Sequence, residues 1–518
     1  MILINSSPKD ALKIFQPFLP ISVPVGIGTL LAVAQKQGIR ANFIDEQVED
    51  DIFGKVKRFT KSMQPPYIFG FSILTVAFKN AIFVSRRLKE LYPDSFIVFG
   101  GPHPSALPEE SLAYGHVDAV IRGEAEVVLM DLYRRVKEGK DFSGLENLSY
   151  RKGSGFVHNR ISSFMEDIDS LPVFPYGLFD PKKYDLGFIV SSRGCPYRCI
   201  FCSNRITTGK KYRYRRAESI ISELKILYQR YGQKFVMFLD DNFCVSKQRV
   251  YELIEEIKKN GLDKKMTFSF QSRGDNVDYK LLSDLFSCGF KSIFFGLETA
   301  SEETMKMIQK DETVAECIEA CRMAKKIGYY LSATFIYGLP KDTHQDRMDC
   351  VRLSDALNLD MVRYNNATPY PGTELYNIAK KENRLNIQGI YENFISVSTF
   401  IENPFKKIPF TYLPQGNTED QIRRDILYSY FKFYFHSARI REIFAKPDQG
   451  AGWFKAAGNI FALARKAPGL FVLAAALSLK FAQFFYYSVI KKETAVSLKF
   501  FFSVFEGLWQ KKPKQEES

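Results

Sequence analysis

The sequence predicts an α/β protein with two successive parallel-sheet units and a helical C-terminal region. Short apolar runs bounded by Gly and Pro alternate with amphipathic stretches over residues 1–140, and the same alternation returns over residues 187–404. Such alternation is typical of parallel strands joined by crossover helices. Residues 141–186 between the units are predicted to be a linker, and the alternation stops in residues 405–518. A chain of 518 residues is also too long for one ordinary core.

The first unit is predicted to be a doubly wound, Rossmann-like domain. Its short, mainly apolar runs suit parallel strands that are buried on both faces. The predicted strands are Ile2–Ile4, Ala41–Ile44, Ile68–Phe71, Phe96–Phe99 and Ala119–Ile121, and the helices include Gly28–Gln37 and Val76–Leu91. Ligands of such sheets bind at the carboxyl ends of the strands. The candidate loops there are Phe99–Pro104 and Arg122–Glu126.

The linker and the second unit follow. The linker contains a small hairpin around Arg151–Gly155 and carries no evident chemistry. The second unit has six predicted strands, Gly187–Ser191, Phe235–Leu239, Met266–Phe270, Ser292–Phe295, Ser332–Tyr337 and Met361–Ala367, with helices such as Ser219–Tyr231 and Val250–Lys259 between them. We expect functional residues at the carboxyl ends of these strands, as in complete β/α barrels.

The most informative motif follows the first strand of the second unit and reads C-x3-C-x2-C, with cysteines at 195, 199 and 202. Three thiolates in one tight loop favour zinc or an iron-sulfur cluster over magnesium or calcium. Structural zinc normally takes four ligands, and no further Cys or His occurs within the next forty residues. A cluster with three protein ligands keeps one iron open. The alternatives are a chance trio of buried cysteines and an incomplete zinc loop.

With Phe201 before its last cysteine, the motif resembles that of the radical S-adenosylmethionine (SAM) enzymes. The resemblance implies that Cys195, Cys199 and Cys202 hold a [4Fe-4S] cluster whose open iron chelates SAM. It also implies that the second unit is a partial (β/α)6 barrel. In this family the reduced cluster cleaves SAM to a 5'-deoxyadenosyl radical, which abstracts hydrogen from an unactivated carbon.

Polar residues at the strand ends match the family's SAM-binding positions. The carboxylates of Asp240 and Asp241 can accept hydrogen bonds from an amino group or a hydroxyl, and the guanidinium of Arg273 fits a carboxylate. The resemblance implies SAM contacts for these three residues and for Phe201, Glu298 and Gly338. Structural alternatives remain. Asp240 or Asp241 would cap the following helix, and Arg273 would pair with Asp275 on the surface.

Placed before this motif, the first unit resembles the cobalamin-binding domain of cobalamin-dependent radical SAM enzymes. The implied cobalamin-binding residues are Asp45, Gly100, Gly101, His103, Gly123 and Glu124. The chain lacks the D-x-H-x-x-G motif that supplies a histidine to cobalt, because Glu46, Gln47 and Val48 follow Asp45. For His103, which lies between prolines, packing within the loop is the favoured alternative. A domain that has lost cobalamin is the alternative for the whole unit.

The charge and composition of the chain bear on its partners and on its location in the cell. The net charge of +14 suggests an anionic partner. The C-terminal region contains the apolar run Ala467–Leu479, which is too short for a membrane span. This region combines aromatic residues with lysines. We therefore expect that residues 460–510 make peripheral contact with an anionic membrane, or that the region forms a helical cap on the barrel. No nucleic-acid partner is expected, because the basic residues mingle with bulky apolar ones. The absence of a signal peptide and of a disulfide pattern favours the cytoplasm, including the inner face of the membrane.

We therefore predict a cobalamin-dependent radical SAM enzyme, most specifically a C-methyltransferase for a lipophilic small molecule such as a terpenoid, hopanoid or lipid precursor. The expected cofactors are a [4Fe-4S] cluster, SAM and cobalamin, and the expected partner protein is a reductant such as flavodoxin or ferredoxin. Two alternatives stay open. One is radical oxidation, cyclisation or carbon-carbon coupling without methyl transfer, and the other is a non-enzymatic cobalamin or iron-sulfur sensor.

Overall fold

The computed structural model describes residues 1–8, 21–161, 164–402, 407–435, 475, 477–491 and 498–505. In the N-terminal half, seven strands form one sheet in the order β2-β1-β3-β4-β5-β6-β7. These strands are β1 (Ile2–Asn5), β2 (Asn42–Asp45), β3 (Ile68–Ser72), β4 (Phe96–Gly100), β5 (Ala119–Ile121), β6 (Leu148–Lys152) and β7 (Gly155–His158). The first five strands run parallel, in agreement with the prediction.

Helices cover both faces of this sheet, which confirms the doubly wound fold. They are α1 (Val25–Lys36), α2 (Ile52–Thr60), α3 (Phe78–Leu91), α4 (Pro102–Ala106), α5 (Pro108–Ala113) and α6 (Val128–Glu138). Alternate residues of the strands enter different cores: Ile2 and Ile4 pack with α2 and α3, whereas Leu3 packs with α1 and α6. This two-sided burial explains why the strands are continuous apolar runs.

The small hairpin that the sequence suggested within the linker is part of this sheet. Strands β6 and β7 pair antiparallel with each other, and β6 pairs antiparallel with β5. The hairpin thus extends an otherwise parallel sheet at one edge. A polar, glycine-containing turn is compatible with either arrangement, so local sequence did not distinguish them.

The second half is a six-stranded parallel sheet in the sequential order β15-β14-β13-β12-β11-β8, as the partial barrel requires. Its strands are β8 (Phe188–Ile189), β11 (Phe235–Phe238), β12 (Thr267–Ser272), β13 (Phe290–Glu298), β14 (Tyr330–Tyr337) and β15 (Met361–Asn366), and the short ribbon β9 (Ser192–Arg193) and β10 (Arg213–Tyr214) follows β8. The helices are α7 (Asn204–Thr207), α8 (Ala217–Tyr231), α9 (Lys247–Lys259), α10 (Tyr279–Ser287), α11 (Glu302–Met307), α12 (Val314–Ile327), α13 (His344–Ala356), α14 (Glu374–Lys381) and α15 (Ser398–Ile401).

Helix α16 (Glu419–Tyr434) covers the open edge of β15. The hydroxyl of Tyr430 accepts a hydrogen bond from the Tyr364 amide at 3.1 Å, and that of Tyr434 accepts one from the Val362 amide at 3.1 Å. Edge strands present unpaired backbone groups, which these two hydroxyls satisfy. The C-terminal helical region is therefore built onto the barrel.

The described parts of residues 460–510 pack against α16, on the same side of the barrel. Residues 477–485 are helical, Tyr486–Ile490 form a π-helical turn, and α17 (Leu498–Ser503) follows. Phe484 and Phe501 belong to the core of the barrel. Most of the predicted apolar run, residues 467–474 and 476, lies outside the described residues. Within the described part of the chain, no helix has the length and apolarity that crossing a membrane requires.

Candidate active site

The cysteine loop is held in place by backbone contacts from several directions. The Cys195 amide donates to the Gly209 carbonyl at 3.3 Å, and the Ile200 amide donates to the Ile308 carbonyl at 3.0 Å. Gly194 enters the loop with φ of +84°, and a Cβ there would lie 2.2 Å from the Lys211 carbonyl oxygen. Only glycine fits this approach, so the motif is preceded by glycine for a steric reason.

The three thiols are free and only partly exposed. Burial raises the pKa of Cys199 to about 11, and burial together with the neighbouring thiols raises that of Cys202 to about 12. Without a bound cation these groups stay protonated at neutral pH, so metal binding must release their protons. Within the described residues, no three His, Cys, Asp or Glu side chains converge on one ion position. A cluster binds each cysteine through a different iron, so the three thiols fit a cluster better than a single ion.

Asp240 and Asp241, at the end of β11, hold this loop. Asp240 is fully buried and accepts hydrogen bonds from the Ser191 amide and hydroxyl at 2.7 and 2.6 Å, and it pairs with Arg249. Asp241 accepts from the Gly194 amide at 3.2 Å and from the Thr208 hydroxyl at 2.8 Å. Neither carboxylate caps α9, because Ser246 does. Both oxygens of Asp240 are therefore engaged within the protein.

Arg273, at the end of β12, is similarly engaged. It forms a two-pronged pair with Asp275, at 2.9 and 2.8 Å, and its guanidinium carbon lies 3.6 Å from the centre of the Tyr197 ring. The sequence alternative placed this pair on the surface, but Arg273 is buried. Because Tyr197 belongs to the cysteine loop, Arg273 joins β12 to that loop.

Glu298 ends β13 in a strained backbone conformation, with φ of +63°. Its side chain is buried, its Oε2 atom has no hydrogen-bond partner, and burial raises its pKa to about 7. A buried unsatisfied carboxylate oxygen in a backbone outlier indicates a functional site. The carboxylate lies over Gly296, beside the buried amine of Lys310.

Phe201 and Gly338 lie at opposite sides of the barrel mouth. Phe201 packs against the barrel core and is half-buried. Gly338 has φ of +83°, and its amide donates to the Asp342 carboxylate at 2.6 Å. Asp342 pairs in turn with the buried Arg347, which also pairs with Asp425 of α16. The turn after β14 is thus positioned by the C-terminal helix.

A cleft of about 380 Å³ separates the two halves of the molecule. The N-terminal sheet contributes Gly100, Gly101, Gly123 and Glu124 to its wall, and the second half contributes residues that include Asp241. Gly101 has φ of +95°, and a Cβ there would lie 2.8 Å from the Ile73 amide nitrogen. Glycine at position 101 therefore lets the chain after β3 approach closely. Together, Gly100, Gly101 and Gly123 form a part of the cleft wall without bulky side chains, the glycine cradle. The donor set and the shape therefore fit the cofactors that the sequence suggested.

Two of the residues suggested for cobalamin lie elsewhere. Asp45 is buried and accepts hydrogen bonds from Asn5 at 2.9 Å and from the Tyr184 hydroxyl at 3.0 Å, so it fastens the linker to β2. His103 is buried between Phe78 and Tyr391, with ring centres 4.0 and 4.7 Å apart, and burial lowers its pKa to about 3. Neither residue lines the cleft. The packing interpretation of His103 agrees with this placement.

Glu124 lines the cleft but is also paired. It contacts Arg193 at 3.1 Å and Arg213 at 2.8 Å, and Glu126 contacts Arg193 at 2.7 Å. All four side chains are largely buried. This cluster joins the N-terminal sheet to the ribbon of β9 and β10, whose strands lie before and after the cysteines in the chain. Sequence reasoning missed Arg193, Arg213 and Lys310, because their partners are distant in the chain and no local motif marks them.

The comparisons with known proteins agree with this architecture. The profile of the radical SAM superfamily matches residues 189–354, and that of the B12 binding domain matches residues 17–133. An uncharacterized methyltransferase of Pyrococcus horikoshii, PH0819, is 30% identical over 81% of this chain and 90% of its own length. The anaerobic magnesium-protoporphyrin IX monomethyl ester cyclase of Cereibacter sphaeroides is 25% identical over 83% of this chain and 69% of its own. The hopanoid C-3 methylase of Methylococcus capsulatus is 24% identical over 73% and 72%.

Two solved structures share the fold. The methyltransferase TsrM from Kitasatospora setae, with cobalamin and a [4Fe-4S] cluster bound, has a TM-score of 0.63 at 19% identity, over 73% of this chain and 77% of its own. The enzyme OxsB, with aqua-cobalamin and SAM bound, has a TM-score of 0.67 at 17% identity, over 96% of this chain and 73% of its own. The chain belongs to the cobalamin-dependent radical SAM enzymes, and its homologues include methyltransferases of that family.

Proposed function

We propose that the chain methylates an unactivated carbon of a lipophilic small molecule, using a [4Fe-4S] cluster, SAM and cobalamin. One observation carries the proposal: residues that hold the cysteine loop, Asp241 and Thr208, line the same cleft as the glycine cradle of the N-terminal sheet. When bound, the cluster and SAM supply a radical that abstracts hydrogen, and cobalamin supplies the methyl group. Such chemistry needs two cofactors on either side of one substrate, and this cleft offers that arrangement.

The cysteine loop is the proposed cluster site. Cys195, Cys199 and Cys202 would each bind one iron, and backbone hydrogen bonds of the chain itself position their loop. Asp241, through the Gly194 amide, supports the loop from the barrel side. Arg273 supports it through Tyr197. Asp241 and Arg273 would thus hold the cysteine loop, and a cluster bound to it, at the barrel mouth.

Glu298 is the proposed hydrogen-bond acceptor for the SAM ribose, because its Oε2 atom has no donor within the protein. The turn after β14 at Gly338 is the proposed backbone contact of the adenine, and Phe201, which packs against the barrel core, is a further proposed SAM contact. Asp240 supports this site indirectly, since its oxygens are occupied by the Ser191 backbone and side chain. Gly100, Gly101 and Gly123 are the proposed cobalamin cradle, with no imidazole ligand to cobalt.

The lipophilic character of the substrate is proposed from the C-terminal region. Phe485, Tyr486, Ile490 and Phe502 are 37, 41, 60 and 57% exposed, although the opposite side of this segment enters the barrel core. A segment that is apolar on both sides, with one side uncovered, suits contact with a lipid surface. We propose that it rests on an anionic membrane, on its cytoplasmic face, and that an electron donor such as flavodoxin or ferredoxin reduces the cluster.

Product analysis tests the reaction. The protein would be reconstituted anaerobically with iron, sulfide and cobalamin, and incubated with SAM, a strong reductant and a lipid extract of the host. Methylation predicts 5'-deoxyadenosine and S-adenosylhomocysteine in equal amounts, both dependent on the extract. 5'-Deoxyadenosine alone would indicate oxidation, cyclisation or coupling, the class of reaction named for the cyclase relative. No SAM cleavage under any condition would contradict enzymatic function.

A further inference from the structure

The inner face of the barrel sheet carries a charge that the proposed function does not use. The strand register aligns Phe294 of β13 with Ser332 of β14 and Met361 of β15, and it aligns Gly296 with Thr334 and Arg363. Residues paired in a parallel register share one face of the sheet. The neighbouring residues Val362 and Tyr364 face the other side, where both are buried in the barrel core and the Tyr364 hydroxyl lies 2.7 Å from the Ser354 hydroxyl of α13. Arg363 therefore faces the inside of the half-barrel.

The contacts of Arg363 agree with this direction. Its guanidinium carbon lies 6.0 Å from the centre of the Phe294 ring, so the side chain crosses β14 on the inner face. The residue is exposed, and the Phe294 ring, rather than a carboxylate of the described residues, is the group that its guanidinium contacts. The register places only uncharged residues on the rest of this face, which are Met237, Ser269, Gln271, Ser292, Phe294, Gly296, Ser332, Thr334, Ile336, Met361 and Asn365.

The nearest candidate counter-charge on this face is the carboxylate of Glu298, which folds over Gly296. Gly296 and Arg363 lie in one cross-strand row but are separated by β14, a backbone distance of about 10 Å. Glu298 interacts instead with Lys310. Arg363 thus has no protein partner at close range among the described residues.

A lone guanidinium is stable while water fills the barrel. Radical chemistry requires a closed site, and a substrate that fills the barrel removes this water. An uncompensated charge in such an environment is costly, whereas a carboxylate or phosphate would pair with the planar guanidinium through two hydrogen bonds. The surrounding apolar residues Met237, Phe294, Ile336 and Met361 would contact the rest of the molecule.

We propose that Arg363 binds an acidic group, a carboxylate or a phosphate, of the substrate, and that the substrate is a lipophilic acid rather than a neutral lipid. This inference rests on the proposed function, since it names the substrate class of the same site. Asn365 indicates separately that this face binds a ligand, because its Oδ1 atom is buried without a donor and lies further along β15 than Arg363 on the same face. That oxygen would accept a hydrogen bond from a donor group of the substrate other than its acid. A buried oxygen without a hydrogen-bond donor is expected where a bound molecule supplies that donor.

Arginine footprinting tests the inference on the unmodified protein. The reconstituted holoenzyme would be treated with phenylglyoxal, and the modification of each arginine would be measured by mass spectrometry. The host lipid extract would first be divided on an anion exchanger into acidic and neutral fractions. We expect Arg363 to be modified in the presence of SAM alone and to be protected at least fivefold by the acidic fraction. Arg352, an exposed residue of α13, is the control and should be modified throughout.

Three outcomes would overturn the inference. Protection by SAM alone would assign the guanidinium to the SAM carboxylate, protection by the neutral fraction would exclude an acidic group, and no protection by either fraction would remove Arg363 from the binding surface. Footprinting does not depend on turnover. A failure of the proposed function, seen as absence of SAM cleavage in the wild-type protein, is therefore a separate result.

Substitution provides a second measurement. In R363M, the concentration of the acidic fraction that half-saturates 5'-deoxyadenosine formation should rise at least tenfold, and R363K should recover part of this loss because it keeps the charge. R352M should match the wild-type protein. Equal half-saturation of R363M and the wild-type protein, or stimulation of the wild-type protein by the neutral fraction alone, would contradict the assignment.

Discussion

At the scale of single residues, burial decides which polar groups are available to a ligand. Asp240 and Asp241 are adjacent in the chain, yet Asp240 is enclosed by the Ser191 backbone while Asp241 reaches the cleft. Glu298 is buried with an oxygen that has no donor. Residue type alone ranks these carboxylates equally, whereas their surroundings separate structural from binding roles.

The cluster cysteines and the other cysteines should respond differently to the same substitution. C199A should abolish the iron-sulfur absorbance after reconstitution and all SAM cleavage, because two thiols cannot hold the cluster. C321A is the matched control, since Cys321 is buried in α12 and packs as a small apolar residue. Iron content and iron-sulfur absorbance after reconstitution are measured for both variants. A C199A protein with full iron content would contradict the cluster assignment.

Glu298 should give the cofactor-free protein a characteristic pH dependence. Its pKa rises from 4.5 to about 7 on folding, so the folded state binds the additional proton between these values. Stability then falls as pH rises through this window, by up to about 3 kcal/mol. E298Q lacks the carboxylate, so thermal unfolding should be less pH-dependent in the variant and the variant should be the more stable protein at pH 8. Parallel curves for both proteins would contradict this origin.

At the scale of elements, one contact joins the two halves of the molecule at the site and a second positions a turn of the barrel mouth. The buried arginines of β9 and β10 pair with Glu124 and Glu126 from the loop after β5. On the opposite side, α16 positions the turn at Gly338 through Arg347 and Asp342. Both contacts lie next to proposed cofactor positions, so element packing and site geometry depend on each other.

E124Q should destabilise the cofactor-free protein by about 3 kcal/mol or more, because it leaves the Arg213 guanidinium buried without its partner. The matched control is K211M, which removes an exposed pair with Glu166 and should leave stability almost unchanged. Urea unfolding measures both variants. A loss for E124Q no larger than that for K211M would show that the pair adds little.

The exposed apolar side of the C-terminal segment should govern lipid binding. Substituting Ile490 and Phe502 by Ser should reduce co-sedimentation with phosphatidylglycerol vesicles at least fivefold, because both side chains are largely exposed. L178S is the control, since Leu178 is a comparably exposed apolar residue near β8. Phosphatidylcholine vesicles should bind the wild-type protein less. Equal binding of all three proteins would contradict the proposed contact.

At the scale of the whole molecule, neither half is complete alone. The core of the N-terminal sheet includes Tyr376, Tyr391 and Phe394 from the chain that follows β15. The cleft likewise takes its walls from both halves. The two sheets therefore share core residues and a cleft wall.

Residues 1–161 expressed alone should accordingly bind hydroxocobalamin at least tenfold more weakly than the full chain, because half of the cleft wall is missing. They should also unfold at a lower temperature, since three aromatic residues of their core are absent. Equilibrium dialysis and thermal unfolding measure the two effects. Equal affinity of the fragment and the full chain would mean that the N-terminal sheet holds the whole site.

The sequence by itself determined the two sheets, the cysteine loop and the strand ends where polar residues occur. These features depend on local periodicity and on short spacings, which one stretch of chain contains in full. The tertiary structure alone decided that the hairpin joins the first sheet, that Asp45 does not line the cleft, and that Glu124 pairs with two arginines. Such outcomes depend on which distant groups become neighbours, and burial and charge pairing act only once those neighbours are in place.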